Sequence, residues 1–333
     1  MTALSPHRIA PAPAVALWPR FAAVMVCMVA FAVLLDAWDR PVPTTGMLWL
    51  DLVAVLTLGW SLLAPGAPLK LDSWVTPFDG RVFAALALAI LDLFHTHGEG
   101  TRIAWLHQML SATVCYYALV ARLRHQPRGP DLLWLPFGIV AFVLGLRAVV
   151  SMTSGIVALA RAADLADAAW AADFGVAKTL VFATIVCAGR ASEQAAPPYW
   201  RFATWFGAVG CVLHGLAGGI PLETHALMRL NEPMYFSTMV VTLLVLIPLT
   251  RSAWLLRRER ADEAPRWAGL AMGFATVAFM GVLGGATGGE GVRVLAVLGG
   301  AAVVVGTDAP KPLAPIVPAL PTEKSAERMS RAA

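Results

Sequence analysis

Residues 132–159, LLWLPFGIVAFVLGLRAVVSMTSGIVAL, decide the fold class. Twenty-eight residues carry one charge, Arg147. As a helix the stretch is about 42 Å long, against a bilayer hydrocarbon core of about 30 Å. An apolar run of that length reads as a membrane span, with Gly155 marking an interfacial turn near its end.

The rest of the 333-residue chain repeats the pattern. It is 58% hydrophobic and 14% charged, where soluble domains average roughly 25% charged. The mean hydropathy is +0.69. Ten spans are predicted, at 20–37, 47–65, 82–96, 103–121, 132–159, 173–189, 202–220, 234–256, 267–285 and 292–306. The expected fold is therefore all-α, a polytopic transmembrane helix bundle of about ten spans in the cell inner membrane. Arg8 and Arg20 precede an apolar run ending near an Ala30-Phe31-Ala32 sequence that resembles a cleavage site. The long proline-bearing leader favours an uncleaved first span over a signal peptide.

Basic residues test the map, because they accumulate in cytoplasmic loops. With both termini cytoplasmic, seventeen of the 25 Lys and Arg fall inside, five fall outside, and Lys178, Arg147 and Arg251 lie within spans. Three regions follow: a cytoplasmic N-terminal segment at 1–19, the transmembrane domain at 20–306, and a proline-rich, then charged tail at 307–333. That tail reads as disordered.

Several classes fall away. No basic stripe with interleaved aromatics suggests nucleic acid. Neither a phosphate loop nor a nucleophile elbow is present, and "GVLGGATGGEG", 281–291, reads as close helix packing. Cys27, Cys115, Cys187 and Cys211 each lie in an apolar run and read as small buried hydrophobes.

Polar chemistry concentrates on the predicted outer side, which receives eleven of 21 carboxylates and five of seven histidines. "HTHGEGTR", 95–102, supplies His95, His97, Glu99 and Arg102, with Gly98 and Gly100 breaking the helix. "GGIPLETHALMRLNEPMY", 218–235, supplies Glu223, His225, Arg229 and Glu232. Three readings compete. Outer loops are polar because they meet water. His95, His97 and Glu99 offer donors for a metal or haem. Alternatively, the two loops share a cavity for an anionic or sugar substrate. Arg102, Arg229 and Arg147 would then be anion donors, and imidazole or carboxylate the proton carriers. The site is read without a metal. Arg147, at mid-span, needs protein or water around it, and Asp51 or Asp92 is the expected partner. Lys178 is expected to snorkel, and His214 reads as a hydrogen-bonded core histidine.

Residues 115–149, CYYALVARLRHQPRGPDLLWLPFGIVAFVLGLRAV, run from an aromatic-rich span through a basic cytoplasmic loop to "DLLW" opening the next span. Residues 228–249, MRLNEPMYFSTMVVTLLVLIPL, carry an Arg and an Asn-x-Pro ahead of a span. Together these segments resemble O-antigen ligase and polymerase-like membrane proteins. The large outer loop of that family has no counterpart here. The resemblance implies glycan transfer from a polyprenyl diphosphate carrier at the outer face, with Arg229 on the diphosphate and His225 or Glu223 as base. Two other expectations stand beside it: a small-solute transporter, or a non-catalytic membrane subunit that binds a metal, haem or partner protein.

Overall fold

The computed structural model of the chain describes residues 43–63, 73–95, 99–124, 129–160, 174–218, 233–284 and 290–309. Over these residues the protein is all-α, with no strand. The helices are α1 (Pro43–Leu63), α2 (Asp79–His95), α3 (Glu99–Leu123), a four-residue α4 (Gly129–Leu132), α5 (Leu135–Ala160), α6 (Phe174–Ala191), α7 (Pro198–Gly218), α8 (Pro233–Glu259), α9 (Ala264–Gly284) and α10 (Glu290–Asp308). A long helix stands at each of the last nine predicted spans; the first, 20–37, lies outside the described residues. The glycine-rich last span is a 19-residue helix, about 28 Å long.

α2 ends at His95 and α3 begins at Glu99, with Gly100 as its second residue, in keeping with the break expected between these two spans. The turn expected at Gly155 does not occur, since Gly155 lies inside α5. An isolated glycine weakens a helix by only about 1 kcal/mol, and the apolar run before it carries the helix through.

Packing fixes the direction of the long helices: Tyr117 near the end of α3 bonds Asp79 at the start of α2, and Arg260 just past α8 bonds Ala309 just past α10. Asp51 meets Ser111, and Thr57 meets Cys115, so α1 and α3 run parallel. Arg293 bonds Gln108 near one end, and Arg124 bonds Asp308 near the other, so α3 and α10 are parallel. Gly138 faces Trp200 and Gly145 faces Phe206, which makes α5 and α7 parallel. Gly189 faces Gly269 and Gly273 faces Phe182, which makes α6 and α9 antiparallel. One end of the bundle therefore gathers the starts of α2, α5, α7 and α9 and the ends of α1, α3, α6, α8 and α10. These are the ends that the basic-residue bias groups together; after that expectation they are called the inner end, and the opposite ends the outer end.

The core is apolar and aromatic. Trp134, Phe137, Phe182 and Phe274 form a chain of rings with centroids 5.6–5.9 Å apart, and Trp267 joins at Trp134. Glycines let the helices that carry them approach. A Cβ on Gly210 of α7 would lie 2.8 Å from the Cα of Gly145 on α5. Cys115 and Cys187 are buried in this core as reduced thiols, and Cys211 is half-buried.

The outer surfaces are apolar too. Phe83 and Phe94 on α2, Val150 on α5, Phe202 and Trp205 on α7, and Phe279 on α9 are all more than half exposed. By length and composition, one helix among the described residues is apolar enough to cross a membrane, at Met239–Glu259; Leu135–Val150 is a shorter apolar run.

Candidate functional site

Three polar or concave features stand out. The first is an apolar cleft between α2, α3, α8 and α10. Its walls are Phe78, Val82 and Ala85; Met109, Ala112, Thr113 and Tyr116; Val241, Val245 and Leu249; and Val292, Ala296 and Gly300. Small side chains at Ala85, Ala112, Ala296 and Gly300 leave the space open. The cavity is about 130 Å³, close to the ~150 Å³ of an engineered apolar cavity that stays dry and takes benzene. Along α10 it runs from Val292 to Gly300, about 12 Å.

An arginine stands at each end. Arg293, on the first turn of α10, lines the outer end and donates to the Gln108 side-chain oxygen. Arg81 lines the inner end, 3.4 Å from the Pro77 carbonyl, with its guanidinium 6.0 Å from the Phe78 ring. The arrangement offers hydrocarbon contact along its length and a cation at both mouths.

The second feature seals the inner end of the bundle. Glu193, between α6 and α7, accepts from Arg190 and from Arg266 Nε at 2.7 Å and NH2 at 3.2 Å. Asp131 of α4 approaches Arg266 at 3.5 Å and Arg190 at 3.7 Å. Arg266 also stacks over the Trp134 ring at 5.4 Å. Burial, and after it the neighbouring Arg266 charge, holds Arg190 below the ordinary arginine value. Nearby, Arg260 donates to the Ala309 carbonyl at 2.5 Å. Arg124 bonds Asp308 at 2.5 Å and the Ser73 and Val75 carbonyls at 3.1 and 2.7 Å.

Thr76 and Asp79 cap α2 at this end. The Thr76 N–H donates to both Asp79 carboxylate oxygens at 3.1 Å, and the Thr76 hydroxyl to Oδ1 at 2.6 Å. In return the Phe78 N–H reaches the Thr76 hydroxyl, a reciprocal capping arrangement. Tyr117 of α3 donates to Asp79 at 2.8 Å. Burial pushes the Asp79 carboxyl up, but these hydrogen bonds outweigh it, and its pKa falls below the usual carboxylate value.

The third feature joins α1 to α3. Asp51 Oδ1 accepts from the Ser111 hydroxyl at 2.5 Å and lies 2.8 Å from His107 Nε2. On α3, His107, Ser111 and Cys115 recur every four residues along one face, and Cys115 meets Thr57. Asp51 thus engages α3, where the sequence suggested Arg147.

The outer histidine segment is placed only in part. Asp92 and His95 are on the last turn of α2, and Glu99 and Arg102 on the first turn of α3. Arg147 sits at the midpoint of α5, half-buried. His97, Glu223, His225 and Arg229 lie outside the described residues. Lys178 departs from expectation: it is wholly buried one turn into α6. Helices α5, α7, α9 and α10 pack on α6, and the Lys178 side chain is covered rather than extended to the surface.

The cleft and the inner seal were not anticipated. The sequences of α2, α3, α8 and α10 do not mark the cleft face, because lining residues such as Val82, Ala112, Val245 and Ala296 are of the same apolar types that face outward elsewhere. The four-residue spacing on α3 was a legible signal for the third feature. No protein-family model matches the chain, and neither curated proteins nor solved structures provide a match.

Proposed function

We propose that the chain is a multi-pass inner-membrane protein, with both termini cytoplasmic, that holds the hydrocarbon part of an anionic amphiphile in the α2–α3–α8–α10 cleft. The observation that carries the reading is the cleft itself, apolar along its length and flanked by Arg81 and Arg293. The membrane part is supported by large apolar side chains facing outward from α2, α5, α7 and α9. Water would penalise that surface by about 25 cal/mol for each Å². Lipid would not. The common direction of the helix ends adds a second support, because their basic side chains collect at one end.

On this reading the amphiphile belongs to the class of polyprenyl-linked glycans and related envelope polysaccharide precursors. Arg293, with Arg102 and Arg229 from the outer segments, would neutralise its phosphate, and His225 or Glu223 would serve as base. A small-solute transporter is less well supported, since a hydrophilic solute needs polar groups along its path and this lining is nearly all hydrocarbon.

Native mass spectrometry of the protein taken directly from membranes into nanodiscs tests the reading. Retained anionic lipid, reduced several-fold by Arg293→Ala, is the expected result. Absence of any retained lipid, or retention that ignores Arg293, overturns it.

A further inference from the structure

Asp51 is eight residues into α1 and His107 eight into α3, so each lies about 12 Å below its helix's outer end. With α1 and α3 as spans, this is a carboxylate and an imidazole within the outer half of the membrane. Ionisable residues at such depth are costly and need partners. Here the partners are explicit: Asp51 Oδ1 takes both the Ser111 hydroxyl, at 2.5 Å, and His107 Nε2, at 2.8 Å. The order of groups excludes a nucleophilic triad, which needs the histidine between the serine and the carboxylate. In this site the carboxylate is central and the serine is its donor.

We propose that Asp51 and His107, seated by Ser111, form a proton-binding site, and that its occupancy sets how firmly α1 is held to the bundle. With the proton bound, imidazolium and carboxylate attract across 2.8 Å and the site is neutral. With the proton gone, the imidazole is neutral and the carboxylate carries an unbalanced charge. Imidazole is the side chain whose charge changes near physiological pH. His107 and Asp51 keep 46% and 28% of their side-chain surface exposed, so the pair is not sealed inside the α1–α3 contact.

Neighbouring groups define the electrostatics. Cys115, one turn inward on α3, packs on Thr57 of α1. Arg293 of α10 reaches the same level of α3 through Gln108. Asp92 lies near the outer end of α2, which also packs on α3. Because α1 packs mainly on α3, a change at this contact acts on α1 as a unit. The inference rests on α1 and α3 spanning the membrane, but not on what occupies the cleft.

The test is pH-difference infrared spectroscopy of the full chain in lipid nanodiscs, following carboxyl and imidazole bands. Asp51→Asn and His107→Gln are near-isosteric and identify the bands. Coupled groups titrate as a pair when their interaction exceeds about one pH unit. The pH at which each group's band changes is therefore expected to move when its partner is replaced. Cys115, kept as the sole cysteine, should react with a maleimide at a rate whose wild-type to Asp51→Asn ratio changes through the same midpoint. Independent midpoints, or a constant ratio, overturn the proposal. Lipid retention and reporter topology are measured separately, so failure here is distinct from failure of the membrane or cleft readings.

Discussion

Gly189 of α6 and Gly269 of α9 meet backbone to backbone: a Cβ on either would lie 2.7 Å from the other's Cα. A Cβ on Gly189 would also lie 2.5 Å from the Pro265 carbonyl oxygen. Backbone atoms cannot rotate away as a side chain can. Gly189→Ala or Gly269→Ala should therefore force the helices apart, at a cost of about 1–3 kcal/mol. Thermal unfolding in detergent should show a lowered midpoint for each. Gly59→Ala is the control, because nothing lies within 4 Å of its added Cβ. It should be neutral or slightly stabilising.

Glu193 bridges two guanidiniums, Arg190 and Arg266, and is almost fully buried. Removing it leaves two cations with the longer contacts to Asp131 and Glu263, both more exposed than Glu193. Removing Arg266 leaves Glu193 with Arg190. Glu193→Leu should therefore be the more damaging change, toward the 3–5 kcal/mol typical of a broken buried pair. The double variant Glu193→Leu with Arg266→Leu should recover part of the loss. A double-mutant cycle of unfolding free energies measures this, and equal costs for the two single changes would refute the assignment.

Asp79 gives the inner end an acid sensitivity. Its pKa is lowered in the folded chain, so its contribution is present above the ordinary carboxylate range. It is lost as pH falls through the lowered folded value. Asp79→Asn should cost about 1 kcal/mol at neutral pH, the usual worth of a helix cap. The same variant should flatten the acid limb of stability against pH, where wild type declines. Unfolding midpoints at neutral and acidic pH for both proteins decide the matter.

Helix positions were legible because the runs are bounded by arginines, prolines and polar clusters, as at Arg124, Arg190 and Pro233. Which face each helix buries was not. On α1, Leu52 is 41% exposed while its neighbour Val53 is 1% exposed. Both are branched aliphatics, and a helix that is apolar on its exposed face as well has no polar stripe to separate core from outside. Lys178 was misread for a related reason: depth along a helix can be counted in sequence, but the enclosing helices cannot. Of the polar residues singled out in the two outer loops, His95, Glu99 and Arg102 fall on the facing ends of α2 and α3.

Topology gives a direct check on the helix directions. Contacts place Arg124, Arg190, Arg260 and Asp308 toward one end of the bundle. Reporters fused after Arg124 should be active in the cytoplasm, and reporters fused after Gly98 outside. The opposite pattern at either point would break the alternation on which the membrane reading depends.

The cleft makes the last prediction. Ala296 of α10 lines it and faces Met109 and Val245 among the opposing walls. Phenylalanine at this position adds a ring to a cavity of about 130 Å³. The walls are mostly aliphatic, with Thr113, Tyr116 and Thr242 the polar side chains among them. Ala296→Phe should then fill the space with at most a modest loss of stability and should expel whatever chain occupies it. Arg293→Lys separates charge from shape: the cation stays, but the fork of donors that binds phosphate oxygens in pairs is lost. Lipid retained in native mass spectra should fall sharply for Ala296→Phe. For Arg293→Lys it should fall partially and selectively among phosphate-bearing species. A filled cleft that retains lipid undiminished would place the lipid elsewhere on the bundle.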